Sequence, residues 1–363
     1  MTTPALLRLR EKFPGAHIAL LTPEKLRELW TNHPAVNEII SFSAGENVFT
    51  AAKKLRCGKF DLALVLPNSP RSAIETWLAG IPQRIGYAHP WRNFFLTQAV
   101  APRASSVKMR KLSVAEIQRR TGVAPVSNSN ARWSGTKSET GATPVLQPTA
   151  HQIHEYLHLA AALGANPEPL APQLFVAPEE IEAAKIKFGL SEITQPIFGL
   201  NPGAEYGPAK RWPAERFIAA AREIQRQTNC AWLIFGSQAD APLAGQIETA
   251  IRHSSFVIRN LSGQTSLREL MAVLKLCRVL LTNDSGPMHV AAALGMPVVV
   301  PFGSTSPELT GPGLPGDPRH HMLKSDAPCS PCFLRECPID FRCMNGITVE
   351  RVVEAVLSCS GAL

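Results

Sequence analysis

No apolar run in this sequence approaches the roughly 18 residues that a bilayer-crossing helix needs. The opening stretch MTTPALLRLREKF has no apolar core followed by a small-residue cleavage site. Both absences lead to the expectation of a cytoplasmic protein. Aromatic residues make up 7% and charged residues 18%, yet 45% of the chain is hydrophobic, which excludes a disordered chain and, with no matching repeat, a collagen-like or coiled-coil one. G-x-x-x-x-G-K-[ST], G-x-S-x-G and H-E-x-x-H are all missing, which argues against a P-loop nucleotidase, an α/β-hydrolase and a zinc peptidase.

What is present is length: 363 residues, enough for two or three domains with substantial cores. The 31 prolines predict long, stiff connections. Of the eight cysteines, Cys57, Cys230, Cys277 and Cys359 are scattered and read as packed thiols of a reducing compartment. Cys329, Cys332, Cys337 and Cys343 are dense enough for a four-thiolate zinc site, but their irregular spacing and the neighbouring prolines favour thiols packed in a loop. The net charge of +8 is uneven, with 20 Lys and Arg against 9 Asp and Glu in residues 1–150. Either the first half faces an anionic partner or the excess serves solubility.

Helix and strand signals alternate along the chain. A helix with Thr2 or Thr3 as N-cap, Pro4 in its first turn and Gly15 closing it is followed by strands at His17 to Leu21, Glu38 to Phe42, Asp61 to Leu66 and Gln83 to Tyr87, with helices between them. An α/β unit of this kind normally opens on a strand, so a start codon upstream of Met1 is expected. Residues 122–149 lack apolar periodicity and read as a flexible insertion, and Ala165 to Pro172 reads as a linker. A strand at Leu174 to Val176 then opens a second alternating series, running through strands at Ile197 to Leu200, Ala231 to Phe235, Val279 to Thr282 and Val298 to Phe302. The fold class expected is α/β, two doubly wound parallel sheets in series. The domains fall at 1–170 and 171–348, and a final helix in 349–363 is free to cross back to either.

Ligands of such sheets bind beyond the carboxyl ends of the strands. In IFGLNPGAEYGPAKRWP the strand ends at Leu200; Gly203 and Gly207 allow close backbone approach, and Lys210 and Arg211 bring charge suited to a diphosphate, unless they are a solvated pair. Trp212 reads as a packing anchor. In LLTNDSGPMHVAAALG, Asp284, Ser285 and Gly286 open a helix whose free N–H groups suit an anion, although Asp284 or Ser285 also fits a simple cap. His289, one turn in, suits either a hydroxyl contact or a structural role. Gly236, Ser237 and Asp240 follow the strand in LIFGSQAD, where Asp240 suits sugar hydroxyls or a cap. Asn68 and Ser69 form a polar lip after a strand of the first half.

Taken together, NPGAEYGPAKRWP, GSQAD, LTNDSGPMHVAAALGMPVV, LPNSPRSA with AGIPQRIGY, and PCFLRECP resemble the ADP-heptose:lipopolysaccharide heptosyltransferases, especially the heptosyltransferase II branch of glycosyltransferase family nine. The resemblance spans nearly the whole chain. It implies a GT-B architecture of two nucleotide-fold domains facing across a cleft, the lipid-linked acceptor against 1–170 and the donor in 171–348. It implies inverting transfer of heptose from ADP-L-glycero-D-manno-heptose to the lipopolysaccharide inner core, without cofactor or required metal. Lys210 would stabilise the leaving diphosphate with Asp284, Ser285 and Gly286, His289 would lie nearby, and Gly203, Ala204 and Glu205 would border the donor. Partners are then the ADP-heptose donor, the lipid A-linked acceptor and an anionic inner-membrane surface, with no nucleic acid. Family members carry a Gly-Asp turn before a helix much like TTPALLRLREKFPGA, and that Asp is the presumed base. The chain as written starts after it, so a nucleotide-sugar-binding protein without activity stands as an alternative, as does a UDP-sugar epimerase of similar build.

Overall fold

The computed structural model describes residues 1–124, 148–252 and 257–361, and the insertion expected at 122–149 falls largely outside them. The chain divides into two compact units. The first is Met1–Ser106 with Thr149–Phe175; the second comprises, among the described residues, the stretch from Val107 and that from Val176 onward.

The first unit runs α1 (Thr3–Lys12), β1 (Ala19–Pro23), β2 (Glu38–Phe42), α2 (Val48–Cys57), β3 (Leu62–Val65), α3 (Pro70–Leu78), β4 (Gln83–Tyr87) and β5 (Gln98–Val100). Asn47 and Ser69 cap α2 and α3 by accepting the backbone N–H groups of Thr50 and Ser72. All strand pairings are parallel, but they form two sheets, β1-β2 and β3-β4-β5, rather than the single sheet expected. No described strand bridges β1 and β3, although Leu21 of β1 and Ala63 of β3 pack against one apolar cluster.

α4 (Val114–Thr121) departs from the sequence expectation, because 1–170 read as one domain and this helix packs with the second unit. Its capping box, Ser113 with Glu116, fixes the start. Leu112 and Ile117 are buried against Cys329, Cys332 and Ile339, and that tertiary contact outweighs chain proximity. The basic stretch around Lys108 to Arg120 leaves with it, so the first unit retains 13 Lys and Arg against 9 Asp and Glu. α5 (Ile153–Ala161) returns to the first unit and packs on α1. The strand expected at Leu174 to Val176 is absent: the Gln173 N–H donates to Thr3 Oγ1 at 3.1 Å, and Phe175 meets His33 edge-on, which draws the segment away from any ladder.

The second unit continues α6 (Pro178–Lys187), β6 (Ile197–Asn201), α7 (Ala214–Thr228), β7 (Ala231–Ile234), α8 (Ala241–Ile251), β8 (Ile258–Asn260), α9 (Leu267–Leu274), β9 (Leu280–Thr282), α10 (Gly286–Ala293), β10 (Val298–Pro301), α11 (Pro307–Thr310), β11 (His320–Leu323), α12 (Arg342–Asn345) and α13 (Val349–Ser360). Its sheet is parallel throughout, in the order β11-β10-β9-β6-β7-β8. Counted from β6, this is the doubly wound order 3-2-1-4-5-6, whose direction reverses between β6 and β9, and that reversal is where such sheets bind ligands. β7, β9 and β10 are buried along their whole length, as expected of a sheet covered on both faces. α13 packs on α7 and β10.

The placement of α4 is directly testable. Ile117→Ala should cost about 2 to 5 kcal/mol and lower hydrogen-exchange protection in β6 to β10, leaving β1 to β5 unchanged. Loss of protection confined to β1 to β5 would contradict it.

Candidate active site

β6 and β9 are hydrogen-bonded neighbours, with Asn201 opposite Thr282, so the loops leaving them start side by side. Two asparagines tie these loops together. Asn201 Nδ2 donates to Thr282 Oγ1 at 3.0 Å and to Ser285 Oγ at 3.2 Å. In the reverse direction, Asn283 Nδ2 donates to the Pro202 carbonyl at 2.7 Å and its Oδ1 accepts the Trp212 N–H at 2.9 Å. Both asparagines are buried, so these bonds are made away from water, where leaving one unmade is costly. Trp212 is indeed a packing anchor, with its ring on Phe217 and its indole N–H on the Ile347 carbonyl at 3.0 Å.

The consequence is an ion pair. Lys210 Nζ lies 2.6 Å from Asp284 Oδ2, with side chains only 15% and 5% exposed. Thr305 Oγ1, after β10, donates to the same carboxylate oxygen at 2.5 Å. Asp284 therefore holds the ammonium and does not cap α10. Ser285 occupies the N-cap position but makes no side-chain capping bond, its hydroxyl being engaged by Asn201. The exposed Gly286 opens the helix, and the half-buried His289 lies on its second turn. The first turn of α10 thus presents N–H groups and the positive end of its dipole close to Lys210.

A second cluster forms at the ends of β6 and β7. Asp240 Oδ2 accepts the Ser237 N–H at 3.1 Å and the Ser237 hydroxyl at 2.7 Å, closing a capping box. Arg211 stands 3.7 Å from Asp240 Oδ1 and donates to the Ala204 carbonyl at 3.2 Å. Gly203 is required here, since a Cβ would lie 2.4 Å from the Asp240 carboxyl carbon; one at Gly236 would lie 2.9 Å from Asp240 Cβ. Glu205 is exposed on the same loop. Asp240 stands at the N-cap of α8 but makes no side-chain capping bond to that helix; its carboxylate turns back to Ser237 instead. Asn68 and Ser69 belong to the first unit and have local tasks there: Ser69 caps α3, and Asn68 Oδ1 accepts from the fully buried Arg92 at 3.2 Å.

Several participants were not singled out from sequence. Asn201 and Asn283 lie inside the two quoted motifs, and Thr305 lies in the loop after β10, so position alone could have flagged them. Tyr206 lies in the first of those motifs and Arg335 in PCFLRECP, but nothing in either motif states that the two side chains meet. Lys210 Nζ sits 4.9 Å and Arg335 Cζ 5.3 Å from the Tyr206 ring centroid. The Tyr206 hydroxyl donates to the Phe333 carbonyl at 2.8 Å, and Arg335 Nε donates to the Tyr206 carbonyl at 2.9 Å.

Segment 328–345 carries the four clustered cysteines, Cys329, Cys332, Cys337 and Cys343. Among the described residues no group of three His, Cys, Asp or Glu side chains is arranged to hold a metal ion. Cys329 and Cys332 instead pack with Leu112, Ile117 and Ile339, while Cys343 joins the main core of the second unit. Burial pushes the Cys332 thiol up to about 11 and that of Cys343 up to about 12, from 9.0.

Two outcomes follow from these contacts. Asn283→Ala strips the Trp212 N–H and the Pro202 carbonyl of their buried partner and should destabilise the second unit by about 1 to 3 kcal/mol, read as a lower urea midpoint. The thiols are neutral when folded and their pKa values are raised, so their contribution is complete below pH 9 and is lost as pH rises through 11 and 12. Iodoacetamide at pH 8 should label the exposed Cys57 well before Cys332 and Cys343; equal rates would contradict the packing.

The family model for glycosyltransferase family 9 (heptosyltransferase) matches residues 137–341. Lipopolysaccharide heptosyltransferase 2 of Salmonella typhimurium is 31% identical over 327 residues, covering 86% of this chain and 81% of that protein. The Escherichia coli protein of the same name is 30% identical over 321 residues, with the same coverage. Among solved structures, E. coli ADP-heptose lps heptosyltransferase II matches with a TM-score of 0.72 and 27% identity over 99% of this chain and 94% of that one. A family 9 glycosyl transferase from Veillonella parvula, at 21% identity, shares the fold with a TM-score of 0.77 over 100% and 93%. The fold is thus of the GT-B type, and the chain belongs to glycosyltransferase family 9, the heptosyltransferases.

Proposed function

We propose that this glycosyltransferase moves a heptose from ADP-L-glycero-D-manno-heptose to the lipid A-linked inner core of lipopolysaccharide, working with inversion at the cytoplasmic face of the inner membrane. The observation that carries this reading is the Lys210–Asp284 pair at the switch point of the second sheet. Departure of ADP builds negative charge on the diphosphate. Lys210, fixed by Asp284 and Thr305, keeps two ammonium N–H groups for that charge, and the first turn of α10 adds backbone donors. Because these groups are held before the substrate arrives, little reorganisation is needed as the bond breaks, so they favour the transition state over the ground state. In this reading Gly203, Ala204, Glu205, Arg211, Gly236, Ser237 and Asp240 border the nucleotide-sugar, with Ser285, Gly286 and His289 around the phosphates, while Asn68 and Ser69 serve the acceptor. Among the described residues no helix is long and apolar enough to cross a membrane, which suits an enzyme that meets its lipid-linked acceptor peripherally.

The test is ADP release from ADP-heptose, with and without a heptose-deficient lipopolysaccharide acceptor. Transfer requires the acceptor, whereas epimerisation does not. Lys210→Ala should lower kcat by about 10²- to 10³-fold and weaken ADP binding. Pairing it with Asp284→Asn removes the orphaned buried charge, restoring stability but not turnover. A normal rate with unchanged donor affinity in either protein would refute the assignment.

A further inference from the structure

The first unit carries a surface that the donor chemistry leaves unused. Trp91 is 89% exposed and Phe94 79% exposed, three residues apart. Their loop is tied down by hydrogen bonds. Trp91 adopts a left-handed φ of 66°, a costly conformation for a bulky residue, and Asn93 Oδ1 accepts the His89 N–H at 2.8 Å. From beneath, the wholly buried Arg92 donates to the Val65 carbonyl at 3.0 Å and the Tyr87 carbonyl at 3.2 Å. The fold therefore spends a buried guanidinium on presenting two aromatic rings to solvent. The apolar track continues by edge contacts, Phe94 to Phe95 at 5.3 Å and Phe95 to the exposed Trp77 at 5.4 Å. Leu78, next on α3, borders an open cavity of about 480 Å³ lined by Phe49, Ala52, Lys53, Arg56 and Cys57, with Phe49 69% exposed.

Charge identifies the occupant. Residues 48–60 hold Lys53, Lys54, Arg56 and Lys59 with no Asp or Glu, and among the described residues Lys53 has no carboxylate within ion-pair distance. A second copy docked symmetrically would set these cations against their own image. Exposed Trp and Phe beside Lys and Arg match an interface of headgroups over acyl chains.

We propose that this face docks on an anionic lipid bilayer, with Trp91, Phe94 and Phe49 entering the interface and Lys53 and Arg56 meeting the headgroups. The inference deepens the proposed function, whose acceptor is lipid-linked. It is read from vesicle binding rather than transfer, so a chain that binds vesicles without moving heptose overturns only the function, and the converse overturns only this surface.

The experiment is co-sedimentation of the full chain with vesicles of phosphatidylethanolamine and phosphatidylglycerol, against phosphatidylcholine alone. The protein should prefer the anionic vesicles. Trp91→Ser with Phe94→Ser should weaken binding at least about tenfold. Lys53→Gln with Arg56→Gln should weaken it roughly thirtyfold, a factor of about five for each cation. Both proteins should keep the wild-type melting temperature and ADP affinity. Trp91→Phe should bind normally yet show less quenching by brominated lipid than the wild type, the remainder coming from Trp77 on the same track. Three results would overturn the proposal: no preference for anionic vesicles, variants that bind as wild type, or an aromatic variant that changes only oligomeric state.

Discussion

The second unit depends on one constraint, that two loops leaving adjacent strands must satisfy each other's polar groups out of water. Asn201 and Asn283 reach across in opposite directions, each bonding the other loop, and between them they fix where Lys210 and Asp284 meet. A buried ion pair is poor evidence of stability by itself, because desolvation offsets most of its attraction. Here its worth is positional. Thr305 and Lys210 share one oxygen of Asp284, so the carboxylate has a defined orientation and the ammonium a defined place. Asp284 also tempers the cation, so the mostly buried ammonium does not stand as a full unpaired charge.

The strand order explains why the pair stands there. β6 and β9 are the neighbours between which the sheet changes direction, so the connections that follow them diverge and leave a crevice at their carboxyl ends. β7, β9 and β10 are buried along their length, and a sheet packed this completely has little freedom to let the loops drift. In the first unit β1, β2 and β3 are mostly half-buried, and its notable surface features are exposed rings rather than converged polar groups.

Most of this framework was legible in the sequence. Strands such as Leu280–Thr282 and Val298–Pro301 announce themselves as apolar runs closed by turn residues, and helices such as Ala214–Thr228 by their periodicity. Lys210 and Asp284 were legible as loop residues after strands, but their pairing was not, since nothing in either motif states that Asp284 turns towards Lys210 rather than to a ligand or a helix N-terminus. β11 escaped notice because His320 and His321 break the apolar pattern, and β5 because three residues carry no periodicity. α4 has a plain capping signature, but that signature does not show which unit the helix packs with: capping is local information, whereas the burial of Ile117 against Cys329 and Cys332 is not.

The cysteine-rich segment shows what such non-local packing accomplishes. Cys329 and Cys332 anchor it in an apolar cluster, and from that anchor the Phe333 N–H donates to the Ser304 carbonyl at 2.7 Å. The Phe333 carbonyl then receives the Tyr206 hydroxyl, and the Arg335 carbonyl receives the Ala209 N–H at 3.0 Å. Gly207, at φ 149°, passes so close that a Cβ would lie 2.4 Å from the Arg335 carbonyl oxygen. The loop carrying Lys210 is therefore gripped on both sides, by the asparagines of the sheet and by a strap whose thiols supply apolar bulk. The burial of Cys329, Cys332 and Cys343 sets the position of a strap, the strap sets a tyrosine ring, and the ring borders the ammonium that Asp284 holds.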